Sequence, residues 1–220
     1  MKKSKVMLFG AMALTAGLAL AACGSSQSNN ADKTYSYIFV NNPDTLDYIT
    51  STRDSTSSIT TNLIDGLLEN DQYGNLIPSM AESWTVSKDG LTYTYKIRQG
   101  AKWYTSEGEE YADVTAHDFV TGLKYAADKK AENLYLVQDS IKGLADYVEG
   151  KTSDFGTVGV KAVDDYTLQY TLNQPETYWN SKTTASILSP VNEAFLKSKG
   201  DDFGSVTPSS ILSNGPYLFK

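Results

Sequence analysis

The stretch Trp84-Thr85-Val86-Ser87-Lys88-Asp89-Gly90-Leu91-Thr92-Tyr93-Thr94-Tyr95-Lys96-Ile97 decides the fold class. Leu91, Tyr93, Tyr95 and Ile97 alternate with Thr92, Thr94 and Lys96 after a Lys88-Asp89-Gly90 turn. That period of two predicts a β-hairpin with one apolar face. A second hairpin is expected downstream, where Val158 to Val163 is followed by an Asp164-Asp165 turn and then by Tyr166, Leu168, Tyr170 and Leu172 in alternation. The tyrosines in both read as half-buried strand residues.

Helices separate and flank the hairpins. Ile59, Leu63 and Leu67, with Ile64 and Leu68 beside them, predict a helix over residues 56–68. Thr115 and Asp118 have capping-box spacing, with Asp in place of Glu, ahead of Phe119, Leu123, Ala126 and Ala127, so a helix of about four turns follows. Ile141, Leu144, Ala145 and Val148 predict a shorter helix ended by Gly150, and Val191, Ala194 and Phe195 mark another. Strands are expected at residues 35–40, closed by Asn41-Asn42-Pro43-Asp44, and from Pro216 to Phe219. Hairpins mixed with helices, with no regular βαβ repeat, indicate an α+β fold.

The chain has 220 residues, 19 Lys+Arg and 26 Asp+Glu, a formal charge of −7. It offers no basic field for a phosphate backbone, and nucleic acid is not an expected partner. One cysteine and one histidine exclude an internal disulfide, a Cys-rich metal site, and any Ser-His-Asp triad or two-His site beyond what His117 alone can supply. His117 falls in the first turn of a helix, where a local hydrogen bond or surface packing accounts for it. Gly150-Lys151-Thr152 lacks the glycine five residues earlier that a phosphate loop needs, because Ala145 stands there. The acidic pairs Glu109-Glu110, Asp164-Asp165 and Asp201-Asp202 are neighbours on turns and read as solvated charge. No catalytic activity and no cofactor are expected.

The N-terminus is more specific. Met1-Lys2-Lys3-Ser4-Lys5 is cationic, and residues 6–22 carry no charge, the pattern of a secretory signal peptide. The run ends Leu20-Ala21-Ala22-Cys23-Gly24, which resembles the bacterial lipobox. That resemblance implies diacylglycerol on the Cys23 thiol and an exported protein tacked to the outer face of the membrane by acyl chains. Residues 23–32 then form a polar flexible tether. After cleavage the chain has 16 basic and 26 acidic residues, a net of −10, so anionic lipid repels it and the acyl chains must hold it.

From Leu67 onward the chain resembles solute-binding protein family 5, the extracytoplasmic oligopeptide-binding proteins that feed ABC importers. The resemblance rests on Leu67-Leu68, on Pro78-Ser79-Met80-Ala81-Glu82-Ser83-Trp84 running on through Tyr95, on Arg98-Gln99-Gly100-Ala101-Lys102-Trp103, on Thr115-Ala116-His117-Asp118-Phe119-Val120, and on Asn214-Gly215-Pro216-Tyr217. Tyr104 to Glu110 is longer than the family's short acidic turn and resembles the Gram-positive oligopeptide branch. The family implies a two-lobed, type II periplasmic-binding-protein-like fold of the peptide-binding class. Residues 33–63 and 191–220 would belong to lobe I and 64–190 to a smaller lobe II, with lobe III absent and the chain an N-terminal fragment incomplete at its C-terminus. It also implies capture of oligopeptides by their shared backbone, delivery to ABC permease subunits, and a monomeric receptor. By the same resemblance Thr52, Arg53 and Asp54 line the ligand cleft as an extended segment and Tyr135 lies near a cleft tyrosine. Read from the residues alone, 52–54 is a solvated loop and Tyr135 a core aromatic on a helix. The alternatives in function are another solute on the same fold (nickel, haem or an oligosaccharide) and a surface adhesin or signalling lipoprotein. A single histidine cannot build an imidazole nickel site, which favours peptide.

Overall fold

The computed structural model describes residues 41–220. The signal peptide, Cys23, the tether and the strand expected at residues 35–40 lie outside the described residues.

The first hairpin forms as its alternation requires. Strands β3 (Ala81–Val86) and β4 (Thr92–Ile97) pair antiparallel with Trp84 opposite Tyr95 and Val86 opposite Tyr93. Its turn is closed by Asp89, whose carboxylate accepts the Ser87 hydroxyl and, at 3.0 Å, the Leu91 N–H. The second hairpin, β7 (Val160–Asp164) and β8 (Thr167–Thr171), joins it so that Tyr93 faces Tyr170 and Tyr95 faces Leu168. The result is a four-stranded antiparallel sheet in the order β3-β4-β8-β7. Its polar face carries Thr94, which accepts from Gln169 Nε2 at 3.2 Å, and Thr167, which accepts from Lys96 Nζ at 2.7 Å.

The centre of the apolar face is covered, so Tyr93, Tyr95 and Tyr170 are buried outright rather than half-buried, whereas Val86 at its edge stays exposed. Helix α2 (Ala116–Asp128) lies on β7 and β8, and the short α4 (Trp179–Lys182) places Trp179 with its ring 5.3 Å from Tyr170 and 6.2 Å from Tyr93. Burying a large side chain of this kind stabilises the fold by about 1.5–3 kcal/mol, with a further preference for tilted ring pairs. Helix α2 starts where expected. Asp118 Oδ2 accepts the Thr115 N–H at 2.8 Å, the carboxylate half of the capping box, and also the Trp103 indole N–H at 3.1 Å.

Several expected elements are shortened or absent, mostly because tertiary bonds capture backbone groups that the local pattern would have used. The helix expected over 56–68 is α1 (Asp54–Thr60) only, and Leu68 opens a strand, β1 (Leu68–Asn70), paired with β2 (Leu76–Pro78). To continue, the helix would need the Leu63 carbonyl for Leu67 N–H. That oxygen instead accepts the Ser213 hydroxyl at 2.6 Å and the N–H groups of Asn214 and Gly215 at 3.1 and 2.8 Å.

The helix expected from Ile141 is α3 (Leu144–Val148), because Gly143 sits at φ +71° and Lys142 pairs its N–H and C=O with Thr171 and Gly159. Ile141 bridges Leu172. The helix expected from Val191 is α5 (Glu193–Lys199), its N-terminus capped by Asn192 Oδ1 on the Phe195 N–H at 3.0 Å. No strand forms at 216–219. The extended contact is a single bridge between Ser213 and Tyr104, and Tyr217 N–H turns back to Asn62 O. The hairpin β5 (Lys102–Tyr104) and β6 (Glu110–Asp113), not foreseen as strands, holds the long Tyr104 to Glu110 insertion at its tip.

Residues 44–50 are fastened to the C-terminal part of the chain and to α2. Leu46 N–H and Thr45 Oγ1 donate to Gly204 O at 2.6 and 2.8 Å, and Tyr48 OH donates to Pro190 O at 2.8 Å. Asp47 is the hub, its carboxylate accepting Ile49 N–H, Thr50 N–H, Thr50 Oγ1 and the Tyr125 hydroxyl. Burial and the adjacent Asp47 both hold the Tyr125 hydroxyl well above its usual pKa, so it stays a donor.

Candidate functional site: an exposed rim and a polar cleft at the two ends of one short helix

The rim is built at the start of α1. Thr56, buried, donates from its hydroxyl to Thr45 O at 2.8 Å and accepts the Ser51 hydroxyl at 3.1 Å, which sets the course of residues 51–53. Thr52, Arg53 and Asp54 are all exposed. Thr52 Oγ1 donates to Glu132 Oε2 at 3.2 Å, and Arg53 Nε lies 2.9 Å from Asp44 Oδ2. Glu132 opens the 3₁₀ turn Glu132–Leu136, which carries Tyr135. The Thr52 to Glu132 bond therefore brings the two sequence-expected pieces, 80 residues apart, onto one surface.

Tyr135 is 75% exposed and Leu136 beside it 37%. The alternative reading of Tyr135 as a core aromatic is overturned, because a five-residue 3₁₀ turn inserts Asn133 and Leu134 into the core and leaves Tyr135 outside. Asp44, Arg53, Asp54 and Glu132 give the rim a net negative charge around one guanidinium, and the ion pair itself, exposed on both sides, contributes only about 0–1 kcal/mol. An exposed aromatic ring flanked by a guanidinium and carboxylates can pack against an apolar side chain and hydrogen-bond a peptide backbone.

The second feature lies at the other end of α1, about 10 Å along its axis. Here the chain leaves Thr60 and Thr61, turns through Ile64, Asp65 and Gly66, and enters β1. The segment 184–189 faces it, and the space between is a cleft of about 320 Å³. Ser79 and Ser189 line it and are only 8% and 7% exposed. Ser79 is anchored through its carbonyl, which accepts Arg98 Nε and Nη2 at 3.3 and 3.1 Å. Burial, then the neighbouring Glu69, raises the Asp65 carboxyl above its usual pKa. Sequence reading missed this cleft: Ser79 and Ser189 are ordinary serines 110 positions apart, and no local pattern signals that they meet.

His117 is exposed, and its Nε2 lies 3.3 Å from Asp165 Oδ1, a partner on the distant β7–β8 turn rather than a local one. Lys151 pairs with Asp146 and Glu149 at 3.1 and 2.7 Å, which leaves the Gly150-Lys151-Thr152 segment a charged turn. The three acidic pairs are exposed as expected. Among the described residues no cluster of three His, Cys, Asp or Glu could hold a metal, and no helix is long and apolar enough to cross a membrane.

This arrangement of hairpins and short helices can be placed among known proteins. The chain belongs to the bacterial extracellular solute-binding proteins, family 5, whose middle region matches residues 75–220. It is 66% identical over 218 residues to the oligopeptide-binding protein AliB of Streptococcus pneumoniae serotype 4, covering 99% of this chain and 33% of that one. Listeria monocytogenes OppA bound to peptide superimposes with a TM-score of 0.72 at 33% identity, over 80% of this chain and 34% of OppA. The substrate-binding domain of an oligopeptide ABC transporter from Bacillus anthracis gives 0.71 at 35% identity, over 81% of this chain and 34% of that one. The chain thus spans about a third of the length of these relatives, and its mixed α and β fold is that of part of an OppA-type binding protein.

Proposed function

We propose that this chain is part of a lipid-anchored receptor that captures oligopeptides outside the cell and delivers them to the permease of an ABC importer, without catalytic activity. The observation that carries the reading is the superposition on the peptide-bound OppA, together with the rim in which Thr52, Arg53, Asp54 and Tyr135 share an exposed surface. In this reading those four residues touch the peptide, whose backbone is the only feature that ligands of varied sequence share.

Residues 1–22 are the signal peptide, Cys23 carries the lipid and residues 23–32 are the tether. The division of the body into 33–63 with 191–220 as lobe I and 64–190 as lobe II draws support from the bonds that tie Thr45, Leu46 and Leu63 to Gly204, Ser213 and Asn214. The receptor acts as a monomer.

Two experiments test it. The first titrates a mixed tri- to octapeptide pool into the polypeptide as its gene encodes it and follows the heat. Saturable binding is expected, and no heat with any pool rejects peptide capture. The second labels cells with a palmitate analogue and compares the natural protein with Cys23→Ala. Label in the natural protein only is expected, whereas equal labelling rejects the anchor.

A further inference from the structure

Asn214-Gly215 is the single Asn-Gly pair in the chain, and every other asparagine is followed by a residue with a side chain. That dipeptide carries a reaction of its own. The backbone nitrogen of the second residue can attack the asparagine Cγ, and glycine, with no Cβ and the widest choice of backbone angles, obstructs the approach least.

The fold occupies each group that this reaction needs. Gly215 N–H donates to Leu63 O at 2.8 Å, and the same oxygen accepts the Asn214 N–H at 3.1 Å and the Ser213 hydroxyl at 2.6 Å. The Asn214 side-chain amide is engaged at both ends by the backbone of Asp65. Asn214 is 8% exposed, so the carbon under attack is screened from water as well. A Cβ on Gly215 would stand 2.8 Å from the Leu63 carbonyl carbon, which shows how closely the two segments are pressed together. For Gly215 N to swing onto Asn214 Cγ, the bonds to Leu63 and Asp65 must open together, which is a local unfolding event rather than a side-chain rotation.

We propose that Asn214 is a deamidation site held closed by the seam between residues 62–65 and 213–217, and that its reaction, once the seam opens, is not undone by refolding. In the open chain the Gly215 nitrogen bonds to Asn214 Cγ, the Cγ–Nδ2 bond breaks, and ammonia leaves with the proton that Gly215 gives up, closing a succinimide ring. Water then adds to one of the two ring carbonyls. Addition at Cγ leaves aspartate at position 214, and addition at the main-chain carbonyl leaves isoaspartate. No oxidant or reductant takes part.

Either product fails the clasp on Asp65. A carboxylate at position 214 can accept the Asp65 N–H but has no proton for the Asp65 carbonyl, so two oxygens are left facing each other. Isoaspartate also adds a methylene to the main chain, which displaces Gly215 N–H from Leu63 O. The chain therefore keeps a covalent record of having opened.

The test incubates the polypeptide as its gene encodes it at mildly alkaline pH, folded in buffer and unfolded in urea, and reads position 214 by peptide mapping and tandem mass spectrometry. Aspartate and isoaspartate are expected to accumulate in urea and to form more than about a hundredfold more slowly in the folded chain, where the rate tracks the fraction open. Ser213→Ala removes the hydroxyl bond to Leu63 O and should raise the folded rate about fivefold without changing the rate in urea. Circular dichroism checks that this variant folds, and the natural chain in sub-denaturing urea supplies the same comparison without a substitution, its rate rising with each increment. Gly215→Ala, followed only in urea where folding plays no part, should slow the reaction about tenfold. Asn214→Asp, which makes one product directly, should unfold at lower urea than the natural chain. Equal rates folded and unfolded, aspartate without isoaspartate in urea, an unslowed Gly215→Ala, a folded rate that Ser213→Ala and sub-denaturing urea both leave unchanged, or an Asn214→Asp midpoint equal to that of the natural chain would each overturn the proposal.

Discussion

Asn214 holds both backbone groups of Asp65 with one side chain. Its Oδ1 accepts the Asp65 N–H at 2.9 Å and its Nδ2 donates to the Asp65 carbonyl at 3.1 Å, across 149 positions of sequence. The clasp sits where the chain passes from α1 into β1 and fixes the wall of the polar cleft. Asn214→Ala leaves both groups without their partner, and unfolding by urea should show a loss of about 1–3 kcal/mol. Asn62→Ala, which removes only an exposed bond to Ser58 O, should stay within about 0.5 kcal/mol. Equal midpoints for the two variants would show the clasp to be dispensable.

Gly204 is a second seam, between the 44–47 segment and the C-terminal part of the chain. Its φ is +74°, and a Cβ there would stand 2.6 Å from the Asp47 nitrogen and Cα. Gly204→Ala therefore meets both a left-handed backbone penalty and a clash with main chain that Leu46 and Thr45 hold in place. The expected cost is about 2–4 kcal/mol, measured as a shift in the denaturation midpoint. A midpoint equal to that of the natural chain would mean that the 44–47 segment yields freely.

Asp118 gives stability a pH signature. Burial raises its carboxyl from 3.8 to about 6, against the opposing bonds from Thr115 and Trp103. Between those two values the folded state holds a proton that the unfolded state has released, so stability contributed by this group is present below about pH 4 and is lost as pH rises to about 6. The substitution Asp118→Asn keeps a side-chain oxygen as acceptor for both bonds and removes the charge. The stability difference between this variant and the natural chain should therefore shift in the variant's favour by roughly 3 kcal/mol between pH 4 and pH 7. A difference that does not change with pH would place the proton elsewhere.

The Glu176 carboxylate, 4% exposed, lies 2.9 Å from Lys182 Nζ, which also donates to Ser140 Oγ at 2.6 Å. Lys182→Met strands the carboxylate and should cost about 3–5 kcal/mol. Adding Glu176→Gln should recover part of that loss. A double variant less stable than the single one would show that the charge itself is not what Lys182 answers.

Tyr135 has no packing role to lose, being exposed on its turn. Tyr135→Ala should leave the denaturation midpoint within about 0.5 kcal/mol. If its ring packs on peptide, affinity should fall by about 1–2 kcal/mol, read by titration of the same peptide pool. Unchanged affinity would remove Tyr135 from the proposed site.

Legibility followed the range of the forces involved. The two long hairpins and helix α2 could be read because alternation, turn chemistry and a capping box act within a dozen residues, and Tyr93, Tyr95 and Asp118 stand as that local chemistry requires. Helix α1 was overrun and the strand at 216–219 did not form, because Leu63 O and Asn62 O are taken by residues 213–217. The rim residues Thr52 to Asp54 and Tyr135 were reached only through family resemblance; nothing in their local pattern distinguishes them from other exposed turns.

The sequence by itself determined the class of the fold, the absence of an imidazole or thiol cluster, and membership of the solute-binding family, because composition, periodicity and contiguous motifs are written along the chain. Only the tertiary structure decided that Thr52 meets Glu132, that Asn214 clasps Asp65, and that Ser79 and Ser189 face one cleft. Those relationships depend on hydrogen bonds and burial between segments about 80 to 150 residues apart, and no local rule specifies which distant groups will satisfy each other.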